Sequence, residues 1–161
     1  MSKTIFIQEK GTLTVKRTFN ADVALVWRAW TEAEILDKWW APKPWYSKTK
    51  RMEFKVGGYR LYSMNGPEGE VMWGRTNYAT IKQHKEFTGT DVFCDENGIS
   101  DGSFPERKYS NQFIGQGGQT EIVTTTVYES EEALQQMLEL GMQEGYELTL
   151  NHLEEWLEQN S

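Results

Sequence analysis

From Thr12 to Phe19 the chain alternates apolar and polar positions and is rich in β-branched residues, the period of a half-buried strand. Asn20 is placed to cap a helix beginning just after it. Val23, Val26, Trp27 and Trp30 then recur at i, i+3, i+4 and i+7, one face of a helix. Thr31 is read as the cap of a second short helix from Glu32 to about Trp39, with Ile35 and Leu36 facing inward. Pro42 and Pro44 end this helical part. From Tyr46 to Tyr128 the pattern is strands and turns: Tyr46–Phe54, Tyr59–Met64, Glu70–Lys82, Glu86–Asp95, Glu106–Gln116 and Gln119–Tyr128. Val56-Gly57-Gly58, Asn65-Gly66-Pro67-Glu68-Gly69 and Gly117-Gly118 supply hairpin turns. Glu131–Gln159 keeps one apolar stripe through Leu134, Leu138, Met142, Leu153 and Trp156, which predicts a single long helix capped by Ser130.

This order predicts an α+β fold: a seven-stranded curved antiparallel sheet, two short helices after the first strand, and one long C-terminal helix. A sheet of that size twists and curls, and a helix in its concave face leaves an internal cavity between the two. Residues 1–10 are read as an N-terminal tail or extension, and residues 11–159 as a single domain. Gly141 and Gly145 lie one turn apart on nearly the same face of the last helix. Each costs about 1 kcal/mol of helix relative to Ala, and room for a ligand or a close approach to the sheet is the expected compensation.

Composition narrows the function. Net charge is −7, and an acidic chain repels phosphate backbones, so no nucleic-acid partner is expected. No apolar run is long enough for membrane insertion. Cys94 is the one cysteine, and the first ten residues have no signal-peptide pattern; both point to a cytoplasmic location. His84 and His152 are the only histidines, so no His/Cys metal cluster is expected. His84 is read as a solvated turn residue and His152 as a partly buried, satisfied one. No Ser-His-Asp set and no nucleotide loop are present, so neither catalytic residues nor cofactors are assigned.

What the chain has in quantity is aromatic rings, seven each of Trp, Tyr and Phe. In the Trp39-Trp40 pair the two rings point apart, so one packs and the other, Trp40, lines a pocket. The candidate ligand-binding residues are Trp40, Tyr62, Trp73, Phe93, Asn111, Phe113, Met142 and Tyr146. Asp91, Glu53, Arg60 and Arg75 would form a polar patch for a ligand hydroxyl or carboxylate if they face inward, and parity alone leaves the face open. The loop Glu96–Pro105 is the candidate gate.

Several stretches resemble one family. Thr14 to Ala21, Val26-Trp27-Arg28-Ala29-Trp30-Thr31 and Trp39-Trp40-Ala41-Pro42 look like the opening of the domain named after the activator of Hsp90 ATPase. Phe54-Lys55-Val56-Gly57-Gly58-Tyr59-Arg60 and Asn65-Gly66-Pro67-Glu68-Gly69 match its central region. Gly141-Met142-Gln143-Glu144-Gly145-Tyr146, with Leu150, Leu153 and Leu157, matches its last helix. The resemblance runs from about residue 11 to 158. It implies membership of the START/Bet v 1-like (SRPBCC) superfamily and a helix-grip fold over a hydrophobic cavity. The first functional expectation is binding of a small hydrophobic or amphipathic molecule. The alternative is an interaction module for a chaperone or another protein, with a filled core and an exposed patch. The third is a cyclase- or hydrolase-type enzyme, which requires at least two titratable groups facing the cavity. A monomer and a homodimer are both compatible with the sequence.

Overall fold

A computed structural model describes residues 3–161. In chain order the elements are β1 (Ile5–Glu9), β2 (Thr12–Phe19), α1 (Val23–Thr31), α2 (Ala33–Trp39), β3 (Tyr46–Met52), β4 (Tyr59–Asn65), β5 (Val71–Lys82), β6 (Glu86–Cys94), β7 (Arg107–Gln116), β8 (Gln119–Val127), α3 (Glu131–Glu139) and α4 (Met142–Asn160). The strands form one antiparallel sheet in the order β1-β2-β8-β7-β6-β5-β4-β3. The helices lie across its concave face, with α2 touching both β3 and α4.

Among the described residues the sheet has eight strands, not seven, because Ile5–Glu9 in the stretch read as a tail forms β1. Phe6 packs against the core while Ile5 and Ile7 face solvent. The pairing runs from Ile5↔Lys16 to Glu9↔Thr12 about a Lys10-Gly11 turn. That turn puts Lys10 at φ 54 and carries none of the Asn-Gly or Asp-Gly chemistry that advertises a hairpin.

Among the described residues there are four helices rather than three. The C-terminal helix is broken at Leu140-Gly141, where Gly141 takes φ 88, a left-handed value that a side chain disfavours. Ser130 does cap α3: its hydroxyl accepts from the Ala133 N–H at 3.0 Å. Other caps differ from expectation. Asp22, not Asn20, precedes α1. Thr31 closes α1 by donating its hydroxyl to the Trp27 carbonyl, and extended Glu32 separates the two short helices. The Gly117-Gly118 turn is tight, with Gln116 and Gln119 paired across it. The loop at Val56-Gly57-Gly58 is wider than a two-residue turn, because β3 stops at Met52; only Gly57 has positive φ.

Between α1 and the sheet the core is a chain of edge-to-face rings. Trp27 meets Phe113 at 4.9 Å, Phe87 at 5.8 Å and Phe54 at 5.9 Å between centroids, a preferred geometry for aromatic pairs. Arg17 is buried beside this core. It reaches Glu154 at 3.2 Å and Asn151 at 2.7 Å, which ties β2 to α4.

Candidate ligand cavity

Strand register sets what the concave face presents. Tyr62, Gly74 and Phe93 lie abreast on β4, β5 and β6. In the next row Arg60, Thr76, Asp91 and Arg107 lie abreast on β4 to β7. Beyond them come Tyr78, Gly89, Tyr109, Thr126 and Leu13, then Phe87, Asn111, Thr124 and Val15. One polar row thus crosses the floor between rows rich in rings.

Above this floor is a cavity of about 280 Å³, roofed by Met142, Gly145, Tyr146 and Thr149 of α4 and by Trp40, Ala41 and Pro42 after α2. An apolar cavity of about 150 Å³ holds one benzene ring, so this space suits roughly two. Gly145 leaves room: a Cβ there would come no nearer than 4.0 Å, to Pro42 Cγ. Trp39 is fully buried and donates its indole N–H to the Ala29 carbonyl at 2.9 Å. Trp40 is half-buried and spans the cavity, its ring 6.4 Å edge-on from both Tyr62 on the sheet and Tyr146 on α4. The two rings differ in burial but do not point apart: their centroids are 5.3 Å from each other, edge-on, and both pack against Trp30.

Of the candidate residues, Trp40, Tyr62, Phe93, Asn111, Met142 and Tyr146 line the cavity. Trp73 does not: it neighbours inward Gly74, so it lies on the outer face, where Lys50 sits 5.7 Å over its ring. Phe113 does point inward, but beyond the end of the cavity, among Trp27, Trp30 and Phe87. Asp91 and Arg60 face the cavity. Glu53 is held in an exposed pairing with Arg51 and Lys55, and Arg75 donates to the Gly98 carbonyl on the outer side. His84 is half-buried with its ring 6.0 Å edge-on from Trp27, rather than free in solvent. His152 sits 3.4 Å from the Ala41 carbonyl. The loop Glu96–Pro105 reaches the cavity wall through Phe104, 5.3 Å edge-on from Phe93.

Arg107 is not among the candidates read from the sequence, although a signal for it exists. With Asn111 inward, parity puts Tyr109 and Arg107, two and four residues earlier, on the same face.

The polar row is unevenly satisfied. Arg60 donates to Asp37 at 3.2 Å, Ser47 at 2.8 Å and Thr49 at 3.0 Å, and its guanidinium covers the Tyr62 ring at 4.1 Å. Burial pulls the Arg60 guanidinium down from its ordinary value, and the tyrosines and Asp37 oppose that. Thr76 donates to Asp91 at 2.7 Å. Burial pushes the Asp91 carboxyl up, with Arg107, the Thr76 hydroxyl and Arg60 holding it back. Burial also raises the phenols of Tyr62 and Tyr109, and takes that of Tyr146 up to about 12, so these hydroxyls stay neutral near pH 7. Asn111 accepts from Thr124 at 2.7 Å, the partner a buried amide needs. Among the described residues Asp91 is the one carboxylate lining the cavity, and no group of three His, Cys, Asp or Glu is placed to hold a metal.

The sequence pattern of the family described as activator of Hsp90 ATPase homolog 1-like protein matches residues 20–158. Solved structures share the architecture. A crystal structure of a protein from Mycobacterium smegmatis is 27% identical, covers 96% of this chain and 95% of its own, and superposes with a TM-score of 0.86. A solution structure from Arthrobacter aurescens is 27% identical over 98% of this chain and 92% of its own, with a TM-score of 0.90. One from Staphylococcus epidermidis is 25% identical over 97% and 94%, with a TM-score of 0.86. No curated protein matches.

Proposed function

Because the chain belongs to the family of activator of Hsp90 ATPase homolog 1-like proteins, we propose that it binds one small amphipathic molecule between its sheet and α4. The polar end of the ligand rests on the row Thr76–Asp91–Arg107, and its apolar body lies against Trp40, Tyr62, Met142 and Tyr146. The observation that carries this reading is the unfilled space of about 280 Å³, walled mainly by rings and aliphatic groups with one polar row across its floor. Few polar groups in an apolar concavity are the usual means of orienting a small ligand. Binding then proceeds by desolvation of the apolar body, with orientation set by the row.

Native mass spectrometry of the protein purified from its own host tests this. The expected result is a stoichiometric small molecule that leaves on denaturation. Gly145→Leu should fill the cavity from α4 and abolish that adduct while the protein stays folded, because the glycine has space around its α-carbon. An empty wild-type protein whose melting temperature also ignores a panel of lipids and aromatics would overturn the reading.

A further inference from the structure

The guanidinium of Arg107 makes no hydrogen bond or ion pair with any described residue, and its Nη1 is buried without a partner. It is stacked on Phe93, with Cζ 4.8 Å from the ring centroid. Asp91 lies directly opposite on β6 and spends one oxygen on Thr76. The two charges face each other across one register pair without meeting. Directly opposed residues hold their Cβ atoms about 5 Å apart, close enough for one bridging group to touch both side chains.

Charge balance decides what that group is. Arg60 is matched by Asp37 and Arg17 by Glu154, each at 3.2 Å. What remains at the floor is one carboxyl and one guanidinium, already neutral as a pair. An anionic head would leave a net buried negative charge, and a cationic head the opposite. A neutral group that both donates and accepts satisfies Asp91 and Arg107 together and adds no charge.

Building on the cavity-binding function, we propose that Asp91 and Arg107 form a head-group site for an uncharged hydroxyl or primary amide, which donates to Asp91 and accepts from Arg107. The ligand class is then an amphipathic alcohol, phenol or amide, and carboxylic acids of the same shape are discriminated against.

Three probes of one body size test the site by calorimetry near pH 7: naphthalene, 2-naphthol and 2-naphthoate. The expected order has 2-naphthol tightest, by about tenfold over 2-naphthoate, the worth of one well-placed charged hydrogen bond. Asp91→Asn and Arg107→Gln should each weaken 2-naphthol by about tenfold and leave naphthalene unchanged, which also shows that both variants keep the folded cavity. Equal or tighter binding of 2-naphthoate to the parent protein overturns the head-group site. So does 2-naphthol affinity that neither variant alters. In these cases naphthalene binding leaves the cavity reading standing. If none of the three probes binds, the head-group site falls, and the cavity reading is decided by the native mass spectrometry and the panel of lipids and aromatics.

Discussion

At Gly89 an added Cβ would lie 1.7 Å from the Asn77 carbonyl oxygen, and at Gly74 it would lie 2.8 Å from the Tyr62 hydroxyl. Both glycines sit on the cavity floor, but the first obstacle is backbone and the second is a side chain that can turn. Gly89→Ala should therefore cost more stability than Gly74→Ala, with Gly74→Ala in the range of about 1–3 kcal/mol of an overpacked site. Urea unfolding midpoints of the two variants check the order; a reversed order would contradict it. Asp91 gives a pH signature. Its carboxyl is raised above the unfolded value, so the folded state holds this proton more tightly. Its contribution is full below the ordinary carboxylate pKa of about 3.9 and is lost as pH rises toward the folded value. Asp91→Asn removes that loss. Its gain in urea midpoint over the parent should be larger at pH 7 than at pH 4. Single residues were the least legible part of the site. Parity sorts a strand into two faces without saying how far the cavity extends, so Phe113 and Asn111 looked alike. Trp73 failed on parity itself, since the face of β5 is settled only by its register with β4 and β6.

Among the elements, the two glycines of the C-terminal segment make opposite demands. Gly141 holds φ 88 at the junction of α3 and α4, while Gly145 is helical with free space at its α-carbon. Gly141→Ala should lower the melting temperature and Gly145→Ala should raise it, each by about 1 kcal/mol, or roughly 2–4 °C at this chain length. Thermal melts of the pair decide the matter, and shifts of the same sign would count against the break. The sequence made most elements legible, because period-2 and period-3.6 patterns are strong where one face is buried. It hid the break because the apolar stripe runs on in phase across it, from Leu134 and Leu138 to Met142. It hid β1 because three apolar residues make a short run and Lys10-Gly11 is a quiet turn.

Charge is distributed over the whole molecule unevenly. Residues 129–161 hold nine glutamates and no lysine or arginine, while Lys43, Lys48, Lys50, Arg51 and Lys55 gather around β3. Lys43–Glu155 at 2.8 Å is one tie between the two regions. Exposed pairs of this kind contribute about 0–1 kcal/mol, whereas repulsion along the glutamate-rich helices acts on every turn. Added neutral salt should therefore raise the melting temperature, most steeply below roughly 0.15 M, where the screening length is still long. A melting temperature that falls with salt would show instead that the cross-ties dominate.

The row Arg60–Thr76–Asp91–Arg107 draws one residue from each of four strands; all four stand outside the apolar cluster that holds the fold, and three of them, Thr76, Asp91 and Arg107, are also free of the Asp37–Ser47–Thr49 network that ties down Arg60. This has an evolutionary consequence. Under the proposed binding function, each of those three positions can be exchanged by a point mutation outside that cluster, and the change would alter what the cavity floor recognises. Selectivity would then be free to drift by single steps while the architecture stays under separate selection, and a lineage would acquire a new ligand without passing through an unfolded ancestor.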